Sequence, residues 1–226
     1  MRIKTIVISF VCMLTLTLSA CGSDSDNDNI DTQAATMSDG RLAVVITNQS
    51  EDDVLKTVQI KFDAYDDEGN VIEYDGFHPR DAVVSIFPGE SSVAVNDFDE
   101  QYWLSEPAHM DYSIEKANWG NGFRHVAVTD TSENYYQNYN ITIKNEGSED
   151  IELGAGSGND NYNFFAFFRD DEGKVTGISE ANVDDFDEQT HPVIAAGEEI
   201  NTTAEVNDVY PGTCHVVLSW IGSMTQ

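Results

Sequence analysis

Phe62-Asp63-Ala64-Tyr65-Asp66-Asp67-Glu68-Gly69-Asn70-Val71 joins the end of a strand to a tight acidic turn. The strand begins at Val58. Val58, Ile60, Phe62 and Ala64 fall on one side, and Gln59, Lys61, Asp63 and Tyr65 on the other. A period of two with one apolar side is the signature of a half-buried strand in an antiparallel sheet. Asp66-Asp67-Glu68-Gly69 then turns the chain, because an Asp carboxylate accepts hydrogen bonds from turn amides and Gly takes a positive φ without a Cβ clash. Val71-Ile72-Glu73-Tyr74 starts the return. The turn recurs as Asp170-Asp171-Glu172-Gly173-Lys174-Val175, preceded by Phe164, Ala166 and Phe168 at the positions of Ile60, Phe62 and Ala64. One small β unit is therefore expected twice in the chain.

Further equivalents occur in the same order. Tyr139, Ile141 and Ile143 answer Leu42, Val44 and Ile46, and Asn145 answers Asn48. Gly197-Glu198 answers Gly89-Glu90, Val206-Asn207-Asp208 answers Val95-Asn96-Asp97, and Pro211 to Trp220 answers Pro107 to Trp119. The spacing between equivalents widens along the chain, as insertions such as the Gly-rich 154–161 would cause. Short alternating strands separated by turn residues, with no helical period of any length, indicate an all-β sandwich or barrel. The boundary between units falls between Gly120 and Asn138. Residues 123–128 could close the first unit or open the second.

The N-terminus is read apart from the fold. Arg2 and Lys4 precede an apolar run from Thr5 to Leu18, too short and too early for an ordinary membrane-spanning helix. Leu18-Ser19-Ala20-Cys21 resembles a bacterial lipobox. That resemblance implies a signal peptide over 1–20, cleavage before Cys21, and a lipid on its sulfur that anchors the chain to a membrane outside the cytoplasm. Residues 21–39 read as a flexible tether in which Asp24, Asp26, Asp28 and Asp31 repel one another. The alternating Asp does not make an EF-hand loop. Asn29 and Ala35 stand where that loop needs Gly and Glu.

Charge narrows the partners. The chain of 226 residues carries 41 Asp and Glu against 11 Lys and Arg, a net charge of −30. Such a surface repels nucleic acid, so no nucleic-acid partner is expected. With Cys12 in the signal segment and Cys21 carrying lipid, only Cys214 remains, so no disulfide is expected. It precedes an apolar run and reads as a buried thiol rather than a nucleophile.

Catalytic and metal motifs are missing from the sequence. His78, His109, His125, His191 and His215 form no zinc-binding spacing, no G-x-S-x-G elbow occurs, and no phosphate-binding Gly loop is present. No catalytic residue, metal site or cofactor is expected. Two binding surfaces are candidates. The acidic turns, Asp66, Asp67, Glu68 and Asp170, Asp171, Glu172, could collect a divalent cation or could be plain turn chemistry. Trp103, Tyr135 and Tyr136, read as loop residues, could stack on a glycan.

Phe62-Asp63-Ala64-Tyr65-Asp66 resembles the signature of the FxLYD-type domain of bacterial envelope proteins, with Ala64 in place of leucine. The Asn-containing turn upstream, the D-x-x-G hairpin and Pro88-Gly89-Glu90 are also similar. The second unit departs from the pattern, reading Ala166-Phe167-Phe168-Arg169-Asp170. The resemblance implies two tandem immunoglobulin-like antiparallel β-sandwich units, 40–122 and 123–226, with no catalytic residues. The resemblance bears on fold more than on function; taken with the lipobox, the chain is expected to be a non-enzymatic interaction or accessory module of the cell envelope, its partner unknown, with an envelope protein or a glycan as candidates.

Overall fold

A computed structural model describes residues 27–72, 80–96, 107–121, 125–152, 160–184, 186 and 193–222. Every regular element among them is a β-strand, and every pairing is antiparallel. The protein is all-β, and its sheets stack as two sandwich units.

In the first unit β1 (Ile30–Thr36), β2 (Leu42–Asn48) and β5 (Ser91–Val95) form a three-stranded sheet in the order β1-β2-β5. It faces β6 (His109–Gly120), β3 (Val54–Tyr65) and β4 (Arg80–Ile86), in the order β6-β3-β4. Val44, Ile46 and Ala94 from one sheet meet Val58, Ile60 and Phe62 from the other, all at most 1% exposed. The alternation read from Val58 to Ala64 is the burial pattern observed.

The second unit repeats this plan. The counterparts of β2, β5 and β1 are β8 (Asn138–Asn145), β13 (Glu199–Val206) and β7 (Val126–Tyr135). The counterparts of β3, β4 and β6 are β10 (Asp160–Arg169), β11 (Val175–Val183) and β14 (Thr213–Gly222). β11 pairs with β10 over its first part and with β13 over Ala181–Val183, so one strand passes from one face of the sandwich to the other. A short pair, β9 (Ile151–Glu152) with β12 (Val193–Ile194), closes one end. Residues 126–135 form the edge strand of the second unit, which settles where the ambiguous stretch belongs from Val126 onward.

Two asparagines fix equivalent corners of the units. Asn48 and Asn145 are fully buried. The Asn48 amide donates to the carbonyls of Asp53 (2.8 Å) and Ile86 (2.9 Å), and its Oδ1 accepts from the Ser50 amide (2.9 Å). Asn145 donates to Glu149 (2.8 Å) and Ile194 (3.0 Å) and accepts from Gly147 (2.9 Å). In the adjoining turns Glu90 Oε2 accepts from the Phe87 amide and Glu198 Oε2 from the Ala195 amide.

One expectation is corrected. The tether expected over 21–39 contains a strand. Ile30–Thr36 is paired residue for residue with Leu42–Asn48, from Ile30↔Asn48 to Thr36↔Leu42. The Asp-rich composition ends at Asp31, and Thr32, Gln33, Ala34, Ala35 and Thr36 carry no charge to keep the backbone from the ladder. The first unit therefore begins at Ile30 rather than at residue 40.

The outer faces of the two units are also in contact. Ala43, Val45, Val93 and Val95, on the far side of the β1-β2-β5 sheet, pack against Phe165, Phe167, Val175 and Ile178 of the second unit. Four sheet layers thus stack on three buried cores. β4 and β14 also join edge to edge at Val83↔Ile221, so one nine-stranded sheet runs through both units. Ala43 to Ile46 are buried on both sides, which is why that run has no polar member.

Candidate functional site

Where each expected site residue lies is the first question. Cys21 and Trp103 are outside the described residues. Tyr135 is the last residue of β7, not a loop residue. Tyr136 and Gln137 alone form the two-residue hairpin between β7 and β8, both at positive φ (42° and 61°). The Tyr136 ring is 74% exposed at that tip, whereas Tyr139 is buried in the second core.

The acidic turns direct one carboxylate each into their own backbone. Asp66 Oδ1 accepts from the amides of Glu68 (2.9 Å) and Asn70 (2.8 Å), and the Asn70 side chain donates to Asp66 Oδ2 (3.0 Å). These bonds, the Asn70 side chain first, hold the Asp66 carboxyl below its ordinary range. Asp170 Oδ1 accepts likewise from Glu172 (3.0 Å) and Lys174 (2.9 Å). Gly69 and Gly173 supply the positive φ, 82° and 80°. Asp67, Glu68, Asp171 and Glu172 point to solvent. Among the described residues no group of three or more His, Cys, Asp or Glu could hold a metal ion. The structure does not bring the two turns together. The second is fastened to β1, where Gln33 Oε1 accepts from the Val175 amide (2.8 Å).

A cleft that sequence reasoning missed lies where the units meet. It has a volume of about 480 Å³ and is walled by the β4–β5 turn, β7, the end of β10 and β14. Its position follows from the interface core, since Phe167 of β10 lies in that core and Arg169 follows on the same side of the strand. The guanidinium of Arg169 lies 5.1 Å from the centre of the Phe167 ring, and Nη2 donates to Thr47 Oγ1 (2.9 Å). Its Nε–H is buried without a partner, and among the described residues no carboxylate pairs with it. His215 stacks on the same Phe167 ring at 5.1 Å. Partial burial and the nearby Arg169 charge lower the His215 pKa, which favours the uncharged ring.

Ser85 forms another part of the wall. Its φ is 58°, and its buried Oγ has no hydrogen-bond partner. A non-glycine residue held there by its surroundings carries about 1–2 kcal/mol of strain. The carboxylate in the wall is Glu90, and it is engaged. His125 Nε2 is 2.9 Å from Glu90 Oε1 while His125 Nδ1 is 3.2 Å from Glu146 Oε2, so the imidazole ties one unit to the other. Phe87 stacks on that ring at 3.6 Å.

The thiol of Cys214 is turned to the core beside Tyr139. Burial first, with the charge of Glu133 adding, pushes it up to about 12, so it is not a nucleophile near neutral pH. The chemistry offered by the cleft is a guanidinium edge, hydroxyl groups and aromatic faces. Neither the protein-family models nor the curated proteins compared with the chain match it.

Proposed function

We propose that this chain is a lipid-anchored protein of the cell envelope that acts without catalysis, as a stiff double β-sandwich presenting an interaction surface. The observation that carries the reading is the use made of the polar residues shared by both units. Asn48 and Asn145, Asp66 and Asp170, and Glu90 and Glu198 all hydrogen-bond turn or strand backbone. Repetition here preserves a scaffold, and it leaves the exposed surfaces free to differ between the units. Leu18-Ser19-Ala20-Cys21 supports the anchor, and the resemblance to FxLYD-type envelope domains supports the setting.

The anchor is tested by growing cells with an alkyne-bearing palmitate analogue. The wild-type chain should take up label and sediment with membranes, and Cys21→Ala should do neither. An unlabelled wild type would remove the anchor. The interaction role is tested by crosslinking in intact cells, where a discrete partner band is expected and its absence counts against the role.

A second reading is favoured by Tyr136, whose ring stands exposed on a strained hairpin. Rings so placed stack on sugars. A glycan array probed with wild type and Tyr136→Ala should show signals that the variant loses, and a blank array would dismiss it.

A further inference from the structure

We infer that the cleft between the two units is a binding site for a small monoanionic, hydroxyl-rich carboxylate, a sugar acid in chemical class. The inference does not depend on the lipid anchor, so the labelling experiment and the one below fail separately.

The first ground is the state of Arg169. In a chain with 41 acids and 11 basic side chains, this guanidinium has no acidic partner among the described residues and keeps a buried, unbonded Nε–H. A guanidinium that keeps one N–H unpaired, with Nη2 held by Thr47, suits a carboxylate oxygen. The second ground is how the cleft arises within the repeat. Unit 1 has Asp63 and Tyr65 where unit 2 has Phe167 and Arg169. The departure from the shared pattern therefore places the cation and the ring beneath it at this cleft and not at the equivalent place in unit 1. The third ground is the rest of the wall. Ser85 has an unbonded hydroxyl on a strained backbone, and Thr213 and Thr131, whose Oγ1 already accepts from the Val216 amide, also line the wall. His215 adds a ring face stacked on Phe167 and a hydrogen-bonding nitrogen.

Charge selects the ligand class. One permanent cation matches one negative charge, while the −30 of the whole chain works against phosphates and other multiply charged anions. A volume of about 480 Å³ is in the range of small-molecule sites.

The test is ligand-observed NMR on the full chain in detergent, with D-galacturonate and D-glucuronate as probes, D-galactose as neutral control and inorganic phosphate as simple anion. At least one sugar acid should bind and galactose should not. Arg169→Ala should weaken binding by about tenfold or more, as loss of a charge-assisted pair does. Because Arg169→Ala could disturb the interface, Ser85→Gly is the second variant. Glycine accepts the φ of 58° without strain, so the fold is retained while the hydroxyl is lost. A several-fold weakening in that variant supports the site. Failure of both sugar acids to bind overturns the inference, as does phosphate binding as tightly, or affinity unchanged in both variants.

Discussion

Asn48 and Asn145 allow the coupling of the two units to be measured. Replacing either by Ala removes two donors to backbone carbonyls, one of those bonds fully buried, and one acceptor for an amide. Those are Asp53, Ile86 and Ser50 in the first unit, and Glu149, Ile194 and Gly147 in the second. A net hydrogen bond contributes about 1 kcal/mol, and a buried group left unpaired costs about 1–3 kcal/mol. Neither side chain is reached by solvent, so water cannot replace it. Each substitution should therefore destabilise by about 3 kcal/mol, a large share of the ~5–15 kcal/mol of a typical domain. At about 2–4 °C per kcal/mol for a chain of this size, the midpoint should fall by roughly 6–12 °C. The shared core of Val45, Val93, Phe165 and Phe167 adds a second expectation. Unfolding should be one transition, and both variants should lower that same transition by similar amounts. Differential scanning calorimetry of wild type, each variant and the double variant reads both quantities. Two separate transitions, with each substitution moving only its own, would refute the coupling. A cost below about 1 kcal/mol would refute the hydrogen-bond reasoning.

Other perturbations have definite expected outcomes. Val45→Asp places a carboxylate in the core between units, where nothing pairs with it, and should cost more than about 3 kcal/mol in a denaturant titration, with loss of the single transition. Changing Tyr136-Gln137 to Asn-Gly suits the hairpin's two positive φ angles and should stabilise by about 1–2 kcal/mol, read as a higher melting temperature; no rise would mean the Tyr136 ring offsets the strain. With Cys12 and Cys21 replaced by Ala, Cys214 should resist a thiol reagent at pH 8 in the folded chain. It should react on unfolding, because the thiol is pushed up to about 12 only while buried.

Much of the scaffold is legible in the sequence because local chemistry sets it. An Asp followed three residues later by Gly, between alternating strands, has few alternatives to a hairpin, and its recurrence counts the units. What escaped reading depends on packing at a distance. Phe164 to Phe168 shows the signal in part. The run has no polar member, and a strand of that kind is buried on both faces. Phe165 and Phe167 accordingly face the other unit. β1 was hidden by its neighbours, since the Asp residues before it dominate the composition while its own side chains are small and half-buried. The cleft left a trace as well, at Phe167 and Arg169, where the second unit departs from the shared motif. That departure reads as decay until the interface is seen.

The early start of β1 sets a leash length. If Cys21 carries the lipid, the chain joins the folded body at Ile30, and at ~3.3–3.6 Å per residue the gap can span at most about 30 Å. Charges of like sign feel each other over a Debye length of about 8 Å in physiological salt. A strongly acidic body, in a chain whose net charge is −30, on so short a leash would be pushed off an anionic bilayer and held near full extension. Its standoff would be governed by ionic strength, so raising salt would let it settle toward the membrane. A partner reaching it from the same leaflet would have only a few nanometres in which to do so.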